Sequence, residues 1–244
     1  MKVSQIYDFL NTLSPFSLQE SWDNSGLNLG IIEGEVQSIY TCLELTFPIV
    51  KEIAPQSLVI THHPLFFKPL KTFIYDNYPA NLAKILIEKN CSVICMHTNF
   101  DTTHLNPYFA KEVLGFENLK SGGIALNTPI DSIDFEILLK DIKQKLAIHN
   151  LLYVQATHKI DHIYIVCGGG SSYLYNGEMK SRSCLITGDI KYHDAMIAKS
   201  LGISLIDVGH YVSERFFPKI VESILKTKGY QAIIKDCENP FAYL

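Results

Sequence analysis

Four short apolar runs, at residues 57–60, 91–96, 183–187 and 203–208, each end abruptly in a polar cluster. This pattern constrains the fold more than any other feature of the chain. Apolar runs of this length, separated by helical periodicity, read as core strands of an α/β architecture. The polar clusters then fall at the carboxyl ends of those strands, the edge at which open α/β sheets bind ligands. The first cluster is Thr61-His62-His63-Pro64, where Pro64 ends the pairing because it has no N–H to give a ladder. The second is His97-Thr98-Asn99-Phe100-Asp101, the third Gly188-Asp189-Ile190-Lys191-Tyr192-His193-Asp194, and the fourth Gly209-His210-Tyr211-Val212-Ser213-Glu214.

Composition narrows the options. With 47% hydrophobic residues in 244, the chain can build a sizeable core. A net charge of −4 argues against an extended nucleic-acid surface, which needs clustered Lys and Arg. The N-terminus lacks the apolar core of a signal peptide, and no run reaches the roughly 20 apolar residues of a membrane span. The six cysteines form no Cys-x-x-Cys pair, so they read as small core hydrophobes in a reduced, cytoplasmic protein, and no cysteine-rich zinc site is expected.

Helical spacing is read over 2–13, 47–53, 81–89, 133–148 and 193–201, and from about His210 to Lys228 as one amphipathic helix. Strands are read at 27–29, 38–44, 57–61, 91–96, 151–156, 163–167, 183–187 and 203–208, with 231–234 as a final edge strand. The pattern loosens at Ser121-Gly122-Gly123 and Asn127-Thr128-Pro129, which places a boundary between an N-terminal half, 1–123, and a C-terminal half, 124–244. Trp22-Asp23-Asn24-Ser25-Gly26 reads as a structural turn that buries the only tryptophan, in preference to a catalytic role for Asp23. Gly168-Gly169-Gly170 reads as a tight strand-to-helix turn in preference to a phosphate cradle. Asp101 can serve as a ligand or as a helix N-cap.

The candidate ligands are His62, His63, Asp101, His210 and Glu214, with His97 close by in sequence. His210 and Glu214 share one face if a helix opens at His210. Imidazoles and carboxylates in this number exceed a closed structural zinc site and suit a pair of divalent ions, which can activate water and stabilise a developing oxyanion. Lys191 and His193 could approach an anionic substrate or simply form a solvated helix start. His104, His149, His158 and His162 read as surface residues.

Taken together, Trp-Asp-Asn-Ser-Gly-Leu at 22–27, Thr-His-His-Pro-Leu-Phe at 61–66, His-Thr-Asn-Phe-Asp at 97–101, Thr-Gly-Asp-Ile-Lys-Tyr-His-Asp-Ala at 187–195 and Gly-His-Tyr-Val-Ser-Glu at 209–214 resemble the GTP cyclohydrolase 1 type 2 homologue family, also called the NIF-three-like family. The resemblance implies two interlinked α/β domains with a dinuclear metal site in the cleft between them. It also implies a homohexameric ring, a trimer of dimers, and a short form without an insertion domain. It assigns His62, His63, Asp101, His210 and Glu214 as ligands of two divalent metal ions, and mixed nitrogen and oxygen donors admit zinc, iron, manganese or nickel. The family name implies that water opens the imidazole ring of GTP with loss of formate. His97 and Glu214 would then move protons, and Lys191 and His193 would hold the nucleotide substrate. The other function the resemblance implies is non-catalytic: a metal carrier or an adaptor for protein partners.

Overall fold

A computed structural model of the chain describes residues 1–242. It is a mixed α/β protein with two sheets. Its strands are β1 (Gly26–Leu29), β2 (Ser38–Cys42), β3 (Ser57–Thr61), β4 (Ser92–Cys95), β5 (Lys120–Gly122), β6 (Ala125–Asp134), β7 (Leu152–Val154), β8 (Lys159–Ile165), β9 (Ser183–Thr187), β10 (Ser204–Asp207) and β11 (Ala232–Ile234). Among the described residues there are two compact units: Met1–Thr103 with Phe216–Glu238, and His104–Arg215 with 239–242.

The first unit holds a five-stranded sheet in the order β1-β4-β3-β2-β11. β2, β3 and β4 run parallel with Cys42 opposite Thr61 and Thr61 opposite Cys95, so their carboxyl ends finish level with one another. Every residue of β3 and β4 is buried, which explains their unbroken apolar character. Tyr40, Val59 and Val93 from the sheet pack with Ile49, Val50, Leu82 and Leu86 from the helices Phe47–Glu52 and Ala80–Glu88. Lys89 closes the first of these helices from outside: its ammonium donates to the carbonyls of Val50, Lys51 and Ile53 at 2.9, 2.7 and 2.7 Å. A cation on the orphan carbonyls of a helix end satisfies both their hydrogen bonding and the dipole. Lys89→Ala should therefore cost about 1–2 kcal/mol in urea unfolding. A change below a few tenths would show that the three bonds are solvent-exchanged and idle.

The second unit holds a six-stranded sheet in the order β5-β6-β8-β9-β10-β7. β8, β9 and β10 are parallel, with Ile165 opposite Ile186 and Thr187 opposite Asp207, so three more carboxyl ends share one edge. Tyr164, Leu185, Leu205, Ala198 and Ile203 build the core on this sheet.

Four features differ from the sequence reading. Trp22 is 55% exposed rather than buried. The segment 125–134 is a ten-residue strand, where the sequence reading has a loosened pattern around Asn127-Thr128-Pro129 and a helix already from Ile133. The helix opening at His210 stops at Glu214, and a second one begins at Phe217 with Pro218 in its first turn, where a missing N–H costs nothing. Asp101 is not an N-cap: His97 occupies that position before Thr98–Phe100, and Asp101 follows that turn and opens the π-helical turn Asp101–Leu105. Of the four remaining histidines, His149 and His158 are exposed, whereas His104 and His162 are half-buried.

Candidate metal centre

In the first unit, β3 delivers His62 and His63, and β4 delivers His97, at the level edge just described. His62, His63 and His97 each offer a ring nitrogen, and these atoms lie within 4.8 Å of one another, a group that could hold a metal ion. Asp101 joins from the following helical turn, with Oδ1 3.5 Å from His62 Nε2. His62 and Asp101 are buried, and the His62 ring rests on the fully buried Phe217 at a centroid distance of 4.9 Å.

In the second unit, His210 Nε2 stands 2.9 Å from Glu214 Oε2, the i,i+4 geometry expected from the sequence. Glu214 is buried and His210 partly exposed. Gly168 makes room for this pair. Its φ is +64°, and a Cβ there would collide with the Glu214 carboxylate. The glycine loop is thus a turn that admits Glu214. Two of its N–H groups are already used within the fold, Gly168 donating to Ser213 Oγ at 3.0 Å and Gly170 to Thr187 Oγ1 at 2.8 Å. Gly168→Ala combines left-handed strain with the collision, and should cost on the order of 2 kcal/mol or more in thermal unfolding. Wild-type stability in that variant would mean that the carboxylate is not fixed where it is seen.

The four histidines share one feature. His62 Nδ1 is 2.8 Å from the Met96 carbonyl, and His63 Nδ1 is 2.7 Å from Glu44 Oε2. His97 Nδ1 is 2.7 Å from Asp23 Oδ1, and His210 Nδ1 is 2.7 Å from Asp189 Oδ2. An oxygen with no proton to give requires Nδ1 to carry the hydrogen, which leaves the lone pair of the neutral ring on Nε2. Such outer partners are how metal-binding imidazoles are oriented and made more basic. The donor set therefore fits divalent cations: neutral nitrogen and carboxylate oxygen, with no thiolate. The cysteines are mostly buried, and burial pushes the Cys42 thiol up to about 12, so it stays protonated.

Glu44 and Asp189 were not read as histidine partners in the sequence. Glu44 stands two residues beyond β2, at the edge His62 and His63 share, and this strand-end placement was the available signal. Asp23 is structural in the sense expected, but it also fixes His97. It accepts from His97, from the Asn24 N–H at 2.7 Å, from Ser25 Oγ at 3.1 Å, and from the Thr98 N–H and hydroxyl at 3.1 and 2.5 Å. Burial pushes its carboxyl up, yet His97, Thr98 and the Asn24 N–H outweigh burial and hold it well below the usual carboxylate range. Lys191 and His193 are exposed at the start of the helix Tyr192–Leu201. The order there comes from Asp194, which accepts from Ser171, Tyr175 and the Lys191 N–H.

No helix among the described residues is long and apolar enough to cross a membrane. The chain is 51% identical over 238 residues to the Helicobacter pylori (strain J99) protein named GTP cyclohydrolase 1 type 2, covering 98% of this chain and 97% of that one. It is 43% identical over 244 residues to a Campylobacter jejuni protein named GTP cyclohydrolase 1 type 2 homolog, with both chains covered in full. Among solved structures, Staphylococcus aureus protein SA1388 superposes with a TM-score of 0.86 at 25% identity, covering 100% of this chain and 99% of that one. Reduced HcgD from Methanocaldococcus jannaschii gives 0.80 at 26% identity, covering 96% and 97%. The profile of one family, Duf34/NIF3 (NGG1p interacting factor 3), matches residues 1–239. The chain belongs to the Duf34/NIF3 family.

Proposed function

We propose that the protein is a metal-dependent hydrolase acting on a nucleotide or a related small molecule, with ring opening of GTP to release formate as the leading reaction. The observation that carries this reading is the common orientation of four imidazoles, each held through Nδ1 by its own acceptor. A hydrogen-bond partner for one buried histidine is ordinary; what supports metal binding is that all four acceptors take Nδ1 and so leave four Nε2 atoms as donors. The names of the Helicobacter and Campylobacter relatives bring GTP to the reading as substrate.

In this reading His62, His63, Asp101, His210 and Glu214 hold a pair of divalent ions. Zinc, iron, manganese and nickel all suit nitrogen and carboxylate donors. Such ions, when bound, activate water near neutral pH and stabilise charge on the reacting group. The chain's own contribution is orientation and proton handling. Met96, Glu44 and Asp189 keep the Nε2 atoms of His62, His63 and His210 available as donors. Asp23 does the same for His97, whose Nε2 takes a proton and returns it during turnover, while Glu214 can move a second. Lys191 and His193, exposed beside the Asp194-ordered turn, contact the anionic part of the substrate. A homohexameric ring is the proposed assembly.

The partial exposure of His63 and His210 favours a second reading, a metal carrier that hands its ions to a protein partner. Metal-reconstituted turnover on a panel of nucleotides including GTP separates the two, with formate and ring-opened product followed by mass spectrometry. A hydrolase should consume a nucleotide only when metal is present and lose the activity in His63→Ala. A carrier should consume none and pass its metal to a chelating acceptor.

A further inference from the structure

We infer that Trp22 and Phe67 form a stacking platform beside His97 that receives a planar heteroaromatic ring of the substrate. This inference rests on the hydrolase reading above and names the part of the substrate that the first unit recognises. Both rings are large and apolar, yet 55% and 47% exposed. Their centroids are 5.8 Å apart, and those of Trp22 and Phe67 lie 6.0 and 6.2 Å from the His97 ring, which meets each nearly edge-on at 78° and 75°. Leaving such rings in water is unfavourable unless something covers them.

Their placement is built rather than incidental. Asn24 Nδ2 donates to the Phe66 carbonyl at 2.6 Å, which ties the turn carrying Trp22 to the segment carrying Phe67. Asp23, in the same turn, grips His97 and Thr98. One hydrogen-bonded turn thus fixes both aromatic rings against the imidazole. The gap of 5.8 Å is too small to admit a third ring, which needs about 7 Å, twice the usual contact distance. The ligand ring must therefore lie on the exposed faces of Trp22 and Phe67 and not between them. Stacking of this kind is tolerant of ring identity and suits a purine or another flat heterocycle.

The chain contains one tryptophan and 13 tyrosines, so emission excited to the red of tyrosine absorption reports on Trp22 alone. The full-length, metal-reconstituted protein is titrated with guanosine, GTP and inorganic tripolyphosphate, with free N-acetyltryptophanamide as the control for absorption. Guanosine and GTP should quench the emission saturably, tripolyphosphate should not, and Phe67→Ala should weaken guanosine binding roughly tenfold. Phe67→Tyr should restore it. The inference is overturned by a lack of saturable quenching with guanosine and GTP, by an equal response to tripolyphosphate, or by unchanged affinity in Phe67→Ala. Quenching without turnover would sink the hydrolase reading and leave the platform standing. Turnover of GTP with the same KM in Phe67→Ala would do the reverse.

Discussion

Glu214→Gln should strip the protein of tightly held metal and abolish metal-dependent turnover while leaving the fold intact. The substitution keeps the volume of a buried side chain that Gly168 leaves room for, and removes only its charge. His210 Nε2, 2.9 Å away, has its lone pair set by the Asp189 contact on the other side of the ring. A lone pair and a carboxylate at that distance repel unless a cation or a proton lies between them. With glutamine in place, half of that demand disappears. Loss of a partner of a ligand costs roughly 10–100-fold in metal affinity, and loss of a ligand should cost no less. Competition against a calibrated chelator would measure it. Unchanged affinity would remove Glu214 from the ligand set.

Asp23→Ala should have the second-largest effect, and it should be felt in both stability and metal binding. Five donors converge on that one carboxylate, from Asn24, Ser25, His97 and Thr98. Alanine would leave several of them without an acceptor in a poorly hydrated place, at a cost on the order of 3 kcal/mol. His97 would lose the oxygen that fixes its tautomer, so metal affinity or turnover should fall by a further ~10–100-fold. Chemical denaturation and metal titration on the same preparation separate the two losses. A variant of normal stability with an unaltered metal isotherm would show that Asp23 is an ordinary turn residue.

Much of this was legible in the sequence because the informative residues obey local rules. The run ending at Thr61 is buried on both faces and reads as a central strand, and the two histidines follow it directly. The four-residue spacing of His210 and Glu214 needs only one helical turn to bring them together. The strand Ala125–Asp134 was illegible because it carries Pro129, Asp131 and Ser132 and is half-exposed. Its register shifts between Pro129 and Ile133, which is how a proline and turn formers are accommodated in a ladder. The pairing of β11 with β2 depends on residues nearly 200 positions apart, for which no local pattern exists. Trp22 was misplaced because a lone tryptophan is usually core. Here its exposure comes from a turn whose polar side chains point at His97 and Thr98.

The histidine partners were hidden for a related reason. Glu44 stands in no motif, and the motif that holds Asp189 does not contain its partner His210; they meet imidazoles 19 and 21 residues away only because, in each sheet, neighbouring parallel strands end level with one another. Each sheet converts separate strand ends into oriented donors.

The most direct measurement is elemental analysis of metal per chain after reconstitution and exhaustive dialysis, for the wild type and for His62→Ala, His63→Ala and Glu214→Gln. The account predicts a pair of divalent ions retained by the wild type and a reduced content in each variant whose fold is preserved by circular dichroism. A wild type that retains no metal, or variants that retain as much as the wild type, would contradict it.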